Sequence, residues 1–269
     1  MTQITTGKGI VIDCTATPSV DPRLGVGHCH DAYEIIFLGE ARGRYVVEGR
    51  EYELSSGGVL VAKPFEYHHL DFEGEERYSV RFTGDDLIDE ARVAFASLVD
   101  TESADRSFTL TREVSELVSA IFTRSSVADM LKHESALPYK RVLLSELVLL
   151  ISSAKAVNTY TYGFEVGARV IQYLDTHVGR DVNLDFLSKK FFVSKYYLCR
   201  VFKKHNGISI HGYVTLKRIM LAERLLESGE SAGVVAKKVG YRDYSVFYRA
   251  YTKLLGLPPI STKNGQETE

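Results

Sequence analysis

No stretch of this 269-residue sequence approaches the ~20 consecutive apolar residues that a membrane-spanning helix needs; its longest apolar run is Leu147–Ile151. Cysteine is scarce. Cys14, Cys29 and Cys199 are an odd number at unrelated spacings, which argues against a disulfide framework and fits a reducing cytoplasm. The first residues carry no apolar segment of the secretory type, so a cytoplasmic location is expected. Proline and glycine, at 6 and 21 residues, are too few for a collagen-like, mucin-like or largely disordered chain. With 45% hydrophobic and 25% charged residues, the composition is that of a globular protein, and the length suggests two domains.

The net charge of −2 hides an asymmetry. Residues 1–164 hold 16 Lys+Arg against 25 Asp+Glu, a net of −9, whereas residues 165–263 hold 17 against 8, a net of +9. Only the last third is therefore suited to a polyanion.

In the first hundred residues, segments 33–38, 44–48, 51–54, 59–62 and 77–82 are short and rich in β-branched and aromatic residues, with glycines between them. This spacing predicts a small all-β barrel or sandwich, with a tight hairpin at Glu48-Gly49-Arg50. His28, His30 and Glu34 share parity and would project from one face of a strand. Gly58, Pro64 and His69 follow. The pattern His28-x-His30-x-x-x-Glu34, then Gly58, Pro64 and His69, resembles the two motifs of the cupin barrel. That resemblance implies that His28, His30, Glu34 and His69 converge inside the barrel, either as ligands of a divalent metal or as walls of a metal-free ligand pocket. Three imidazoles and a carboxylate suit Zn, Fe, Ni or Mn. Two departures are Glu66, where the second motif usually has Gly, and Glu73, where it usually has Asn.

The middle of the chain has helical periodicity over 112–128, and Pro138 fits the start of a second helix. The apolar stripe of that second helix, through Leu147 and Leu150, is broader than one face. It predicts two packing surfaces, one on the barrel and one on a second copy of the protein, in a homodimer built through residues 137–155.

The last hundred residues contain an internal repeat. Ser194-x-x-x-Leu198-x-Arg200-x-Phe202-x-Lys204-x-x-Gly207 superposes on Asp243-x-x-x-Phe247-x-Arg249-x-Tyr251-x-Lys253-x-x-Gly256 at an offset of 49, and Lys189-Lys190 matches Lys237-Lys238 at 48. Ser194 and Asp243 are suited to N-caps, and Gly207 and Gly256 to helix ends. Leu198 with Phe202, and Phe247 with Tyr251, would bury one side of each longer helix. Lys195, Tyr196, Cys199, Arg200 and Lys203, and likewise Tyr244, Ser245, Tyr248 and Arg249, are then the residues offered to a DNA major groove, where arginine can bond guanine O6 and N7. Residues 211–227 read as one amphipathic connector between the two units.

Residues 166–260 resemble the double helix-turn-helix domain of AraC-family transcription regulators, carried by the repeat above together with Leu187-Ser188, Ala222-x-x-Leu225-Leu226, Val239-Gly240-Tyr241 and Gly256-x-Pro258. Pro259-Ile-Ser-Thr-Lys stands where the family usually has a Tyr-Arg pair, and Cys199 where it often has Gln. The resemblance implies a multi-domain protein: a cupin-like all-β barrel over 1–105 that binds an effector, a helical linker and dimerisation segment over 106–160, and an all-α domain over 165–263 with two helix-turn-helix motifs. Its expected partners are double-stranded operator DNA, a small-molecule effector, a second copy and RNA polymerase, with no required cofactor and no membrane. The competing expectation is a metal-dependent cupin enzyme fused to a DNA-binding domain.

Overall fold

The computed structural model describes residues 4–5, 10–15, 27–74, 76–99, 106–128, 130–131, 133–152, 154–156, 160–162, 165–179 and 182–259. The expected barrel–linker boundary at 105/106 and the residues after Pro259 fall at or outside the edges of these segments.

The N-terminal half is built on two antiparallel sheets. The first has six strands: β2 (Val11–Thr15), β4 (Tyr33–Leu38), β7 (Gly58–Ala62), β9 (Arg77–Phe82), β10 (Ser107–Thr109) and β11 (Lys155–Ala156), in the spatial order β11-β10-β7-β4-β9-β2. The second has β5 (Ala41–Val47), β6 (Arg50–Leu54), β8 (His68–Gly74) and β12 (Tyr160–Tyr162), in the order β12-β6-β5-β8. Two short strands, β1 (Ile4–Thr5) and β3 (Cys29–His30), pair in parallel, and His28 bridges to His68. The expected hairpin forms at Glu48-Gly49, both with positive φ, so that Val47 pairs with Arg50.

Period-two alternation distributes the strands' side chains between two cores. Ile36 and Leu38 of β4 face the opposite sheet and pack with Tyr45, Val47, Tyr52, Leu60 and Leu70. Ile35 and Phe37 face the other way, onto helices α1 (Asp89–Val99), α2 (Arg112–Ala128) and α3 (His133–Ser152). Neither α1 nor β8 is among the elements that the sequence pattern predicts. Helix α3 begins at His133, ahead of Pro138, which it holds in its second turn.

The broad stripe of α3 is covered within the chain. Leu143, Leu144, Leu147, Val148 and Ile151 are all buried in the core shared with the sheet, α1 and α2, and Leu150 packs partly against it. The expectation that Leu147 meets a second copy is corrected: the sheet, α1 and α2 of its own chain bury that side of the helix. The exposed apolar residues of α3 are Leu137, Val142 and Leu149. Segment 106–160 also supplies β10, β11 and the first residue of β12 to the two barrel sheets, so it is woven into the N-terminal domain.

The C-terminal domain is all helical: α4 (Glu165–Thr176), α5 (Leu184–Lys190), α6 (Lys195–Asn206), α7 (Ile210–Glu227), α8 (Ala232–Lys238) and α9 (Tyr244–Leu255). The repeat appears as two matched pairs, α5–α6 and α8–α9. Ser194 accepts a hydrogen bond from Tyr197 N, and Asp243 accepts from Ser245 N and Val246 N, as N-caps do. Gly207 and Gly256 both end their helices in the left-handed conformation, which glycine adopts without Cβ strain. Helix α7 serves both units. Tyr213, Leu216 and Met220 enter the first core, and Ile219, Ala222 and Leu226 the second.

Candidate effector site and nucleic-acid interface

Four side chains converge inside the barrel: His28, His30, Glu34 and His68, with one potential ligand atom from each lying within 4.8 Å of the others. His68 takes the place expected of His69. Pairing of β5 with β8 sets His68 opposite Val47 and His69 opposite Val46, and Val47 is the one that faces the barrel core. Because side chains alternate along a strand, a one-residue shift turns the imidazole to the opposite face. His69 lies there beside Asp71 and Arg44, with its Nδ1 buried and unpartnered.

Local hydrogen bonds set the tautomers. Nδ1 of His30 donates to the Ala32 carbonyl at 2.9 Å, and Nδ1 of His68 donates to the Glu66 carbonyl at 2.8 Å. A carbonyl only accepts, so in a neutral imidazole the proton is on Nδ1 and Nε2 carries a bare lone pair. Those two Nε2 atoms face the same carboxylate oxygen, Glu34 Oε2, at 3.4 and 3.0 Å. Lone pairs facing a carboxylate attract only through a bridging cation, either protons or a metal ion. Burial raises the Glu34 pKa, but its contacts with His30 and His68 outweigh that and hold the carboxyl well below its usual range. Burial and the neighbouring His68 bring the pKa of His28 down to about 3, so its imidazole is neutral. Tyr45 stacks on His68 at 5.8 Å and keeps a buried hydroxyl with no protein partner. A divalent transition metal fits this donor set: imidazoles whose Nδ1 atoms are turned to backbone carbonyls at His30 and His68, one ionised carboxylate and a spare polar atom nearby.

In the C-terminal domain, the two longer helices of the repeat bury one side and expose the other. Leu198, Phe202, Phe247 and Tyr251 are buried, while Lys195, Tyr196, Arg200, Lys203, Tyr244, Ser245, Tyr248 and Arg249 are exposed. Cys199 is half-buried and, like Cys29, a free thiol. The Arg200 guanidinium lies over the Tyr196 ring at 5.9 Å, and Arg249 Nε donates to the Ser245 carbonyl at 3.3 Å. Lys195 pairs with Asp185 of α5 at 2.5 Å. The exposed lysines 189, 190, 203, 204, 237 and 238 extend the cationic surface.

Comparison with known proteins bears on both regions. Residues 14–139 match the AraC-like ligand-binding domain, and residues 187–265 match a helix-turn-helix domain. The HTH-type transcriptional activator RhaS of Shigella flexneri serotype 5b is 20% identical over 273 residues, spanning 94% of each chain. The regulatory protein PocR of Salmonella typhimurium is 27% identical over 92 residues, which is 34% of this chain and 30% of PocR. Among solved structures, ToxT from Vibrio cholerae is 10% identical, with a TM-score of 0.36 over 94% of this chain and 97% of ToxT. The chain belongs to the AraC family. It is a ligand-responsive, DNA-binding transcription regulator.

In this AraC-family chain the effector domain and the first helix-turn-helix unit share one core. Cys29 and Tyr67 of the barrel pack with Val170, Leu198, Phe202 and Met220. A polar cluster closes one side of that contact. Glu48, at the tip of the β5–β6 hairpin, accepts from Lys217 Nζ at 2.6 Å and from the Tyr213 hydroxyl, which also reaches Asp175 at 2.7 Å. Burial pushes the Glu48 pKa up to about 7, with Lys217 opposing the rise and Asp175 adding to it. Beside the cluster a polar cleft of about 460 Å³ opens between the barrel and α4, lined among others by Glu48, Arg106, Arg169 and Gln172. Sequence patterns pointed to neither the cluster nor the cleft, because their residues come from segments far apart in the chain.

Proposed function

We propose that this regulator holds a divalent transition-metal ion at His28, His30, Glu34 and His68, and that the occupied barrel sets how the two recognition helices read operator DNA. The observation carrying this reading is the convergence of these four side chains inside the barrel, their potential ligand atoms within 4.8 Å of one another and Nε2 of His30 and of His68 at 3.4 and 3.0 Å from one Glu34 oxygen. The bound ion would supply Lewis acidity at a closed, buried site, while the four side chains hold and orient it. The same reading makes the barrel a sensor and not a catalyst.

On the DNA side, Arg200 and Arg249 occupy equivalent exposed positions, and two such helices on the common α7 scaffold suit successive major grooves ~34 Å apart. Lysines at the margins suit phosphate contacts. Self-association through the exposed Val142 and Leu149 of α3, contact with RNA polymerase and a cytoplasmic location belong to the same proposal. Elemental analysis of the purified chain tests the central claim. About one equivalent of Zn, Fe, Ni or Mn per chain, lost together with His68→Ala, supports it; a metal-free chain that takes up none of these ions on titration refutes it.

A second reading rests on the interdomain cleft, whose mixed charge suits a small polar organic effector. Thermal-shift screening against sugars and small metabolites checks it, since a ligand of the native state raises the melting temperature.

A further inference from the structure

The residues of the barrel site alternate along the chain with residues that dock the DNA-binding domain. On one segment His28 and His30 reach into the barrel, while Cys29 between them is wholly buried the other way, its Sγ 3.2 Å from Met220 Sδ on α7. On the other segment His68 reaches in, while Tyr67 reaches out and donates a 2.8 Å hydrogen bond to the carbonyl of Asn206, the last residue of recognition helix α6. The Tyr67 ring also meets Tyr213 of α7 edge-on at 5.8 Å. The two segments are tied to each other, since His28 and His68 exchange backbone hydrogen bonds of 2.9 and 3.0 Å. Glycine at position 27 leaves room for this passage, because a Cβ there would sit 1.9 Å from the Tyr67 hydroxyl.

We infer that occupation of the His28/His30/Glu34/His68 site tightens the docking of the first helix-turn-helix unit on the barrel, with Cys29 and Tyr67 as the positioning residues that carry the effect. The inference rests on the proposed cation site. A cation held by these four side chains draws the two segments together on the side opposite Cys29 and Tyr67. Each segment is short and carries a docking residue next to a ligand, so a shift of one moves the other. The receiving core is close-packed, with Leu198 and Phe202 nearly inaccessible, and it repacks rather than yielding gradually. The route bypasses α2 and α3, which pack on the far face of the six-stranded sheet. By linkage, whatever occupation of the site does to docking, docking does to occupation.

Hydrogen exchange of the full-length chain, with and without Zn²⁺, tests this. The expected result is that zinc slows amide exchange across residues 202–220, which contain no proposed ligand, by about fivefold or more. Tyr67→Phe is expected to retain one zinc per chain and lose that slowing, and His68→Ala to lose both. Met220→Ala, a second variant placed in the DNA-binding domain, is expected to weaken zinc binding by the same factor by which it reduces the protection. Zinc bound by the wild type with exchange across 202–220 unchanged overturns the inference and leaves the cation site standing, as do variants at Tyr67 and Met220 that respond like the wild type. A wild-type chain that binds no zinc or other divalent transition metal overturns the cation site, and the inference with it.

Discussion

Tyr67 and Asn206 lie 139 residues apart in sequence, yet the hydroxyl of the first donates a 2.8 Å hydrogen bond to the carbonyl of the second. The bond joins the rim of the effector barrel to the end of a recognition helix. The middle helices, which the sequence suggested as a linker, are not interposed. This arrangement also means that the basic domain does not present a complete surface of its own, since its first core includes Cys29 and Tyr67 from the barrel.

The alternation along β8 separates two neighbouring histidines experimentally. His68→Ala is expected to abolish stoichiometric zinc binding, and His69→Ala to leave it within about twofold, because His69 faces away from the barrel interior. Zinc titration with a competing chelator measures both. Loss of binding in His69→Ala with retention in His68→Ala reverses the assignment.

Glu48 makes stability depend on pH. Burial raises its folded-state pKa to about 7, above the ordinary glutamate value, so its contribution is fully present below pH ~4.5 and is lost as pH rises through about 7. Glu48→Gln removes the titration. Between pH 5 and 8 the melting temperature of the wild type is expected to fall relative to that of the variant. Parallel curves would show that Lys217 offsets the carboxylate fully.

Phe192 sits in the turn between α5 and α6 with φ of 55° and 95% exposure, at the position where the second copy of the repeat has Gly240 with φ of 92°. A left-handed conformation costs an L-residue ~1–2 kcal/mol, partly offset here by the greater chain entropy of glycine. Phe192→Gly is therefore expected to stabilise the protein by about 0.5–1 kcal/mol in denaturant unfolding. A destabilised variant would mean that the ring makes contacts which outweigh the strain.

Helix α3 offers a contrast between core and surface. Leu147→Ala removes a side chain that is 1% exposed and is expected to cost ~2–5 kcal/mol of stability whatever the oligomeric state. Val142→Lys with Leu149→Lys changes two exposed positions, and is expected to leave stability nearly unaltered while lowering the oligomeric state. Sizing at micromolar concentration decides the second point; a wild-type monomer removes the proposed dimer.

Sequence reading by the recognition helices separates arginine from lysine. Arg200→Ala is expected to cost ~1–3 kcal/mol at one base pair and relax preference there, whereas Lys203→Ala weakens all sequences alike and reduces the salt slope by about one. Binding-site selection with each full-length variant measures both. Unchanged base preference in Arg200→Ala and Arg249→Ala would assign the two arginines to phosphates or to the scaffold.

What was legible in the residues was local in its physics. The N-caps Ser194 and Asp243, the left-handed Gly207 and Gly256 and the i, i+4 apolar pairs act within a few residues of one another, so the helix-turn-helix repeat could be read in order along the chain. The hairpin at Glu48-Gly49 was legible for the same reason. His28, His30 and Glu34 stood out by their common parity, although the structure places His28 and His30 at β3 and Glu34 on β4, across a bend at Asp31-Ala32, and brings them together by tertiary packing. The fourth member did not, because the choice between His68 and His69 depends on the register of β8 against β5, and register is set by which face the opposing sheet buries. The partners of α3 were likewise hidden: a broad apolar stripe records how much surface is buried, but not whether a sister helix or a second chain buries it. The docking of Cys29 and Tyr67 on α6 and α7 was the least visible of all, since no short-range pattern relates residues separated by 139 or 191 positions and only the packed core brings them together.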